Sequence, residues 1–153
     1  MSPGAMSRMD EKTPKPVTVG WTEKIDFPDW GLRRVRAKID TGARTSAIDA
    51  PGCALDETPE GLVATFRLAP YRRRPREVFT IRAPVTRLVT VKNSGGEPQR
   101  RAEIETLMRL GPVTKRIRLT LTDRGAMRFP VILGRRTLAG DFVVDVQRKN
   151  LLK

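Results

Sequence analysis

An all-β fold with one short helix is predicted by three features of the sequence. Apolar residues recur mainly at every second position, the runs are short, and Pro or Gly bounds them. The alternation places strands over residues 17–22, 34–39, 62–68, 78–82, 85–91, 102–110 and 113–122. Within 102–110, Ala102, Ile104, Met108 and Leu110 share one parity while Glu103, Glu105 and Arg109 take the other, as a strand with one wet face requires; Leu107 breaks the pattern. Gly111-Pro112 reads as a turn into 113–122, where Ile117, Leu119 and Leu121 face inward and Arg116 and Arg118 outward, so these two runs form a long hairpin. Asn93-Ser94-Gly95-Gly96-Glu97-Pro98 has the composition of a hairpin tip, read either as a solvated loop or as a flap that closes over a bound peptide.

The chain of 153 residues suits one domain with one core. Residues 1–16, with Pro3, Gly4, Pro14 and Pro16 and little apolar content, read as a mobile arm, and 17–153 as the domain. No run approaches the ~20 apolar residues that span a bilayer, and the N-terminus lacks the apolar stretch of a secretory signal. A cytoplasmic protein without membrane contact is therefore expected. The single Cys53 excludes an internal disulfide and reads as a packing residue.

The absence of histidine removes the Ser-His-Asp triad, the Cys-His pair and the His-based zinc helix, so carboxylates, lysines or hydroxyls must carry any chemistry. Thirty Lys and Arg against 17 Asp and Glu give a net charge of +13, which steers anionic partners to the surface. These cations are spread along the chain, which describes a basic surface rather than a basic tail.

The chemistry-bearing stretch is Ala37-Lys38-Ile39-Asp40-Thr41-Gly42-Ala43-Arg44-Thr45-Ser46-Ala47. A strand with apolar Val35, Ala37 and Ile39 delivers a carboxylate into a tight turn, where Gly42 permits close backbone approach. Taken alone, Asp-Thr-Gly is as compatible with an ordinary Asx turn at a strand end. A second stretch, Phe129-Pro130-Val131-Ile132-Leu133-Gly134-Arg135-Arg136-Thr137-Leu138, runs an apolar strand into Gly-Arg and a short helical turn.

The pairing of an early Asp-Thr-Gly-Ala with a late aliphatic pair and Gly-Arg resembles the retropepsins, single-domain aspartic proteases with a closed β-barrel and a flap. A closer resemblance is to the bacterial retropepsin-like aspartic endopeptidases formerly labelled ATP-dependent zinc proteases. It rests on Val19-Gly20-Trp21 with Glu23, the segment from Lys38 to Ala47, Leu121-Thr122-Asp123-Arg124, Met127-Arg128-Phe129-Pro130, Leu133-Gly134-Arg135-Arg136, and Asp145 to Leu151. The resemblance implies Asp40 as the catalytic carboxylate. Lys38, Thr41, Gly42, Ala43, Arg44, Thr45, Ser46 and Arg135 are expected to meet the substrate. With one Asp-Thr-Gly, a homodimer is expected to supply the second Asp40, although Asp26, Asp49, Asp123, Asp141 or Asp145 stands as an alternative in cis. No cofactor and no metal are expected, because no histidine and no phosphate-loop motif is present.

The resembling family is linked to an ATP-grasp ligase that adds glutamates to a ribosomal protein. An acidic, poly-glutamate substrate is therefore expected, with Arg100 and Arg101 behind the flap tip as further cations. Viral retropepsins usually carry an acidic residue after Asp-Thr-Gly-Ala that pairs with the late arginine; here Arg44 would repel Arg135. Either Arg135 finds another carboxylate, or both arginines face an anion. Two rival readings remain at this level: a non-catalytic module that binds ribosome or RNA through its charge, and one that captures an extended acidic peptide without cutting it.

Overall fold

The computed structural model describes residues 15–92, 95–123 and 129–152. Most of the expected N-terminal arm, Asn93 and Ser94 of the hairpin tip, and Arg124, Met127 and Arg128 of the late motif lie outside them.

The described chain is almost entirely β: β1 (Val17–Val19), β2 (Thr22–Phe27), β3 (Leu32–Ile39), β4 (Ser46–Asp49), β5 (Ala54–Thr58), β6 (Gly61–Leu68), β7 (Phe79–Lys92), β8 (Pro98–Leu110), β9 (Val113–Thr122), β10 (Val131–Leu133) and β11 (Phe142–Val144). One α-helical turn, α1 (Arg135–Leu138), follows β10, and a 3₁₀ turn, Pro28–Trp30, joins β2 to β3. Six strands close a barrel in the order β2-β3-β10-β4-β9-β8, with β8 returning to β2 at Asp26 and Arg109. From β8 the sheet extends outward through β7, β6 and β5. The fold is the expected retropepsin-like closed barrel.

The period-two pattern works because alternate residues of each barrel strand face one core. Val35, Ala37 and Ile39 of β3, Ile117, Leu119 and Leu121 of β9, and Val131 and Leu133 of β10 are all buried. Phe27, Trp30 and Phe66 continue this core, with ring centroids 4.7 Å and 6.0 Å apart in succession. The 102–110/113–122 hairpin forms as read, Leu110 facing Val113 across Gly111, whose φ is 58°. Glu103 departs from the wet-face reading: it is only 4% exposed, and its carboxylate accepts hydrogen bonds from Arg87 Nε and Nη2. The arginine reaches it because the β7–β8 ladder slips between Val85 and Arg87.

Three other expectations change. The strand expected over 17–22 stops at Val19, and a second strand that was not expected starts at Thr22 and runs to Phe27, because at Gly20-Trp21 the backbone turns to the C-terminal segment: Asp145 N donates to the Val19 carbonyl and Trp21 N to that of Arg148. The runs 78–82 and 85–91 are one strand that changes partner. β7 pairs with β6 up to Pro84 and with β8 from Val85, so proline, which has no N–H to give, sits at the changeover. Cys53 is exposed rather than packed. It lines a hollow with Leu121 and Asp123, where desolvation of the thiol first and the charge of Asp123 second raise its pKa. Among the described residues, no helix is long and apolar enough to cross a membrane.

Glu23 fastens the C-terminal segment to the barrel. Its side chain is buried, with the residue 1% exposed, and accepts N–H bonds from Gly20 (2.8 Å), Leu151 (2.9 Å) and Leu152 (3.0 Å). Gly20 permits the approach, since a Cβ there would lie 2.5 Å from the Arg148 carbonyl oxygen. Glu23→Gln replaces one acceptor oxygen with a donor that faces N–H groups. It should cost about 3 kcal/mol, the scale for losing charged hydrogen bonds in a buried site. Urea denaturation of the two proteins checks this, and an unchanged midpoint would show that the tail is held by other contacts.

Candidate active site

Asp40 leaves the end of β3 at a point fixed by its neighbours on both sides. β10 lies parallel to β3, with Ile39 opposite Leu133, and antiparallel to β4, with Ile132 opposite Ala47. The Ile39 N–H donates to the Trp21 carbonyl (2.8 Å) and the Asp40 N–H to the Leu133 carbonyl (2.9 Å). The carboxylate is therefore delivered by a strand end held from two directions. The chain then turns: Ala43 N donates to the Asp40 carbonyl (3.1 Å), and Gly42 N donates to Asp40 Oδ1 (3.0 Å). Asp40 is half-buried; one oxygen is oriented by backbone, and no described donor reaches its Oδ2.

Behind the turn, the backbones of two distant segments meet. A Cβ at Gly134 would lie 2.4 Å from the Thr45 carbonyl oxygen and 2.8 Å from that of Ala43. The helix start uses this closeness: Arg135 N donates to Ala43 O (2.8 Å) and Arg136 N to Arg44 O (3.1 Å), so N–H groups without partners inside α1 hold the turn carbonyls. Ser46 is buried, its hydroxyl 2.6 Å from the Thr137 hydroxyl and accepting the Gly134 N–H at 3.0 Å. Ser46 thus braces the turn from within.

The remaining expected residues divide by position. Thr41, Gly42, Arg44 and Thr45 are exposed on the turn, and Ala43 is half-buried. Lys38 points outward from β3, one register step before Ile39, and no described hydrogen bond joins it to the turn. The conflict between Arg44 and Arg135 resolves through the backbone: Arg135 Nη1 donates to the Thr41 carbonyl at 2.9 Å. Neither arginine has a carboxylate within ion-pair distance among the described residues. Thr137 escaped the sequence reading, because a lone threonine in a short helix carries no signal until Ser46 is placed against it.

The candidate second carboxylates in cis are engaged or placed elsewhere. Asp141 pairs with Lys115 Nζ at 2.7 Å, Asp145 accepts the Gln147 N–H and pairs with Arg148, and Asp26 accepts the Arg34 N–H. Asp49 and Asp123 sit at the other end of the parallel β4–β9 pair from Ser46. The β7–β8 hairpin expected as a flap is present, paired out to Lys92 and Pro98, with Arg100 exposed on its second arm and Gly96 at φ 82°.

A six-strand closed barrel that presents one Asp-Thr-Gly turn, braced by an aliphatic strand and Gly-Arg, defines a retropepsin-like protein. Residues 18–153 match the model of the RimB-like family, retropepsin-like aspartic endopeptidases, and the chain belongs to that family. Curated relatives are proteins named probable alpha-L-glutamate ligase. One from Desulfotalea psychrophila is 32% identical over 127 residues, 83% of this chain and 27% of that protein. One from Parasynechococcus marenigrum is 30% identical over 136 residues, 89% of this chain and 29% of that protein. The chain thus spans under a third of the length of these relatives. A crystal structure of a protein of unknown function from Legionella pneumophila shares the fold, with a TM-score of 0.75 and 21% identity, covering 91% of this chain and all of that one.

Gly134→Ala tests the brace. Its methyl group meets fixed backbone rather than a mobile side chain, so β10 and the turn must separate; about 2–3 kcal/mol of stability should be lost, the scale of core overpacking. Thermal or urea unfolding reads the loss, and an unaltered midpoint would mean that the close approach is not required.

Proposed function

We propose that this protein is an aspartic endopeptidase in which Asp40 from each of two protomers forms the catalytic dyad. The observation that carries the reading is the Asp40 carboxylate, fixed at a strand end with Oδ1 oriented by the Gly42 N–H and Oδ2 without a donor among the described residues. Two such groups brought close cannot both ionise, so they share one proton. The ionised carboxylate takes a proton from water as the water oxygen bonds to the peptide carbon, and the protonated one donates to the carbonyl oxygen. Collapse of the tetrahedral species then breaks the C–N bond, with a proton passing to the leaving amine. The engagement of Asp26, Asp141 and Asp145 in contacts elsewhere favours a second chain as the source of the partner carboxylate.

Acidic tails are the substrate that the surroundings favour. Arg44 and Thr45 are exposed beside Asp40, and Arg135, held over the turn by the Thr41 carbonyl, keeps a guanidinium at the same rim. Arginine forks suit carboxylates. The relatives named as glutamate ligases match this chain over only part of their length, which agrees with a domain that acts on the product of glutamate addition, such as a poly-glutamate tail on a ribosomal protein.

Asp40→Asn should lower cleavage of a peptide with a C-terminal glutamate tail by on the order of a thousandfold or more. Mixing that variant into the intact protein should inhibit by more than simple dilution, because mixed dimers lack one acid. Activity that survives the change, or that falls only in proportion to dilution, rejects the shared dyad. Arg44→Gln should reduce kcat/KM about tenfold for the acidic peptide, the scale of one charge-assisted contact, and leave a neutral peptide of equal length unaffected. Equal losses on both peptides would instead assign Arg44 to the turn's structure.

A further inference from the structure

We propose that the face formed by the start of β3 and the 70–74 loop is a docking groove for a single nucleic-acid strand, separate from the Asp40 turn. A groove of about 560 Å³ runs there, and seven of its ten lining residues are cationic, with no carboxylate among them. A neighbouring hollow of about 390 Å³ shares Lys24, Arg33 and Arg34 and adds Arg109, with Asp26 as its single acid.

The cations are held in place by specific structure. The β2–β3 ladder slips between Ile25 and Phe27, and Arg34 takes a φ of 58°, a left-handed conformation that a residue with a Cβ rarely adopts. Asp26 Oδ1 fixes this bulge by accepting the Arg34 N–H at 2.9 Å. Two successive arginines, Arg33 and Arg34, are thereby exposed where alternation allows one. On the other wall, the Tyr71 hydroxyl donates to the Arg33 carbonyl at 2.8 Å and ties the loop carrying Arg72, Arg73 and Arg74 to the bulge. Lys24 stands directly opposite Arg36 across the ladder, a like-charge pair that costs stability. Among the described residues, Lys24, Arg33, Arg34, Arg72 and Arg73 have no ion-pair partner. Strain and self-repulsion gathered at one place call for an anion to offset them.

The details favour a nucleic-acid strand over other polyanions. Six of the seven cations are arginines, whose planar forks match phosphate oxygens. Arg74 lies 4.4 Å over the Tyr71 ring and is steadied by Glu77 at 2.9 Å, which presents a flat guanidinium on which a base stacks and to which a glutamate chain offers nothing. A lipid surface would call for apolar side chains that insert beside the cations. Among the described residues, the exposed large hydrophobics are Leu55, Val78, Leu88, Val143 and Val146, and none lines the groove. Arg33 and Asp40 lie near opposite ends of β3, roughly 20 Å apart at the usual strand rise, so a bound strand leaves the turn clear.

Fluorescence anisotropy with a labelled single-stranded RNA of roughly twelve nucleotides, a usual site size for such grooves, tests the proposal on the full chain. With five cations engaged, log affinity should fall against log salt with a slope of about −3.5. Arg72→Gln with Arg73→Gln, both on the exposed loop, should weaken binding about tenfold or more and flatten the slope by about 1 to 2. Arg33→Gln should act in the same direction from the other wall. Arg100→Gln should leave binding unchanged, and so should Asp40→Asn, which separates this site from the proposed peptidase. Absent RNA binding, or affinity and slope that the loop pair does not alter, overturns the proposal. So does a glutamate-tailed peptide of equal charge that binds as tightly and is lost with the same pair, or preferential binding to phosphatidylserine vesicles.

Discussion

The contact between Gly134 and the carbonyls of Ala43 and Thr45 sets where everything else at the site can stand. Strand β10 is only three residues long, yet it is the central member of the β3-β10-β4 arrangement, parallel to one neighbour and antiparallel to the other. Its end must meet the Asp40 turn at backbone distance if Leu133 is to accept from Asp40 and if α1 is to donate to Ala43 and Arg44. A side chain at Gly134 would hold the two segments apart and undo those bonds together. The placement of a single carboxylate thus rests on backbone packing made by residues more than ninety positions away in sequence.

A similar economy governs the other end of the chain. Glu23 and Ser46 are buried polar side chains whose acceptors face backbone N–H groups: Gly20, Leu151 and Leu152 for one, Gly134 for the other. Polar burial is favourable only when satisfied, and both residues meet that condition: Glu23 holds a C-terminal segment that no ladder joins to β2, and Ser46 ties the end of β4 to Gly134 just beyond the β4–β10 ladder. The barrel gives the strands their order, and these two side chains position the irregular connections on which the turn and the tail depend.

What the sequence disclosed follows from where its signals are local. Strands that alternate over a full run, such as β6, β8 and β9, were legible, as were the Asp40 turn and the β10–α1 segment, because each carries its pattern within ten residues. β5 was not, since Ala54–Thr58 is largely exposed on the sheet edge and offers no alternation to read. β4 and β11 are three or four residues long and take their strand character from partners distant in sequence. The burial of Glu103 was equally hidden: a glutamate in an alternating run reads as solvent-facing until the bulge at Val85 and Arg87 brings a guanidinium to it. At the site, the charge conflict between Arg44 and Arg135 was visible, but its resolution was not, because the acceptor is a backbone carbonyl, which every residue possesses.

Strand β3 shows how one element serves two ends of the surface without compromise. Its inward positions, Val35, Ala37 and Ile39, are buried and fix the strand's register in the core, and hence the place where Asp40 emerges. Lys38 is exposed on its outward side and Arg36 is half-buried there, with the Arg36 guanidinium 5.0 Å over the Phe129 ring. Those outward positions tolerate charge because Lys38 meets solvent and the ring face of Phe129 receives the Arg36 cation. The bulge at Arg34 then adds one more outward cation at the cost of a strained φ, a cost that the core has no need of. The separation of faces that makes the strand readable also allows its charge to vary independently of the Asp40 turn. The net charge of +13 is therefore a property of the surface, and the barrel that holds Asp40 neither requires it nor explains it.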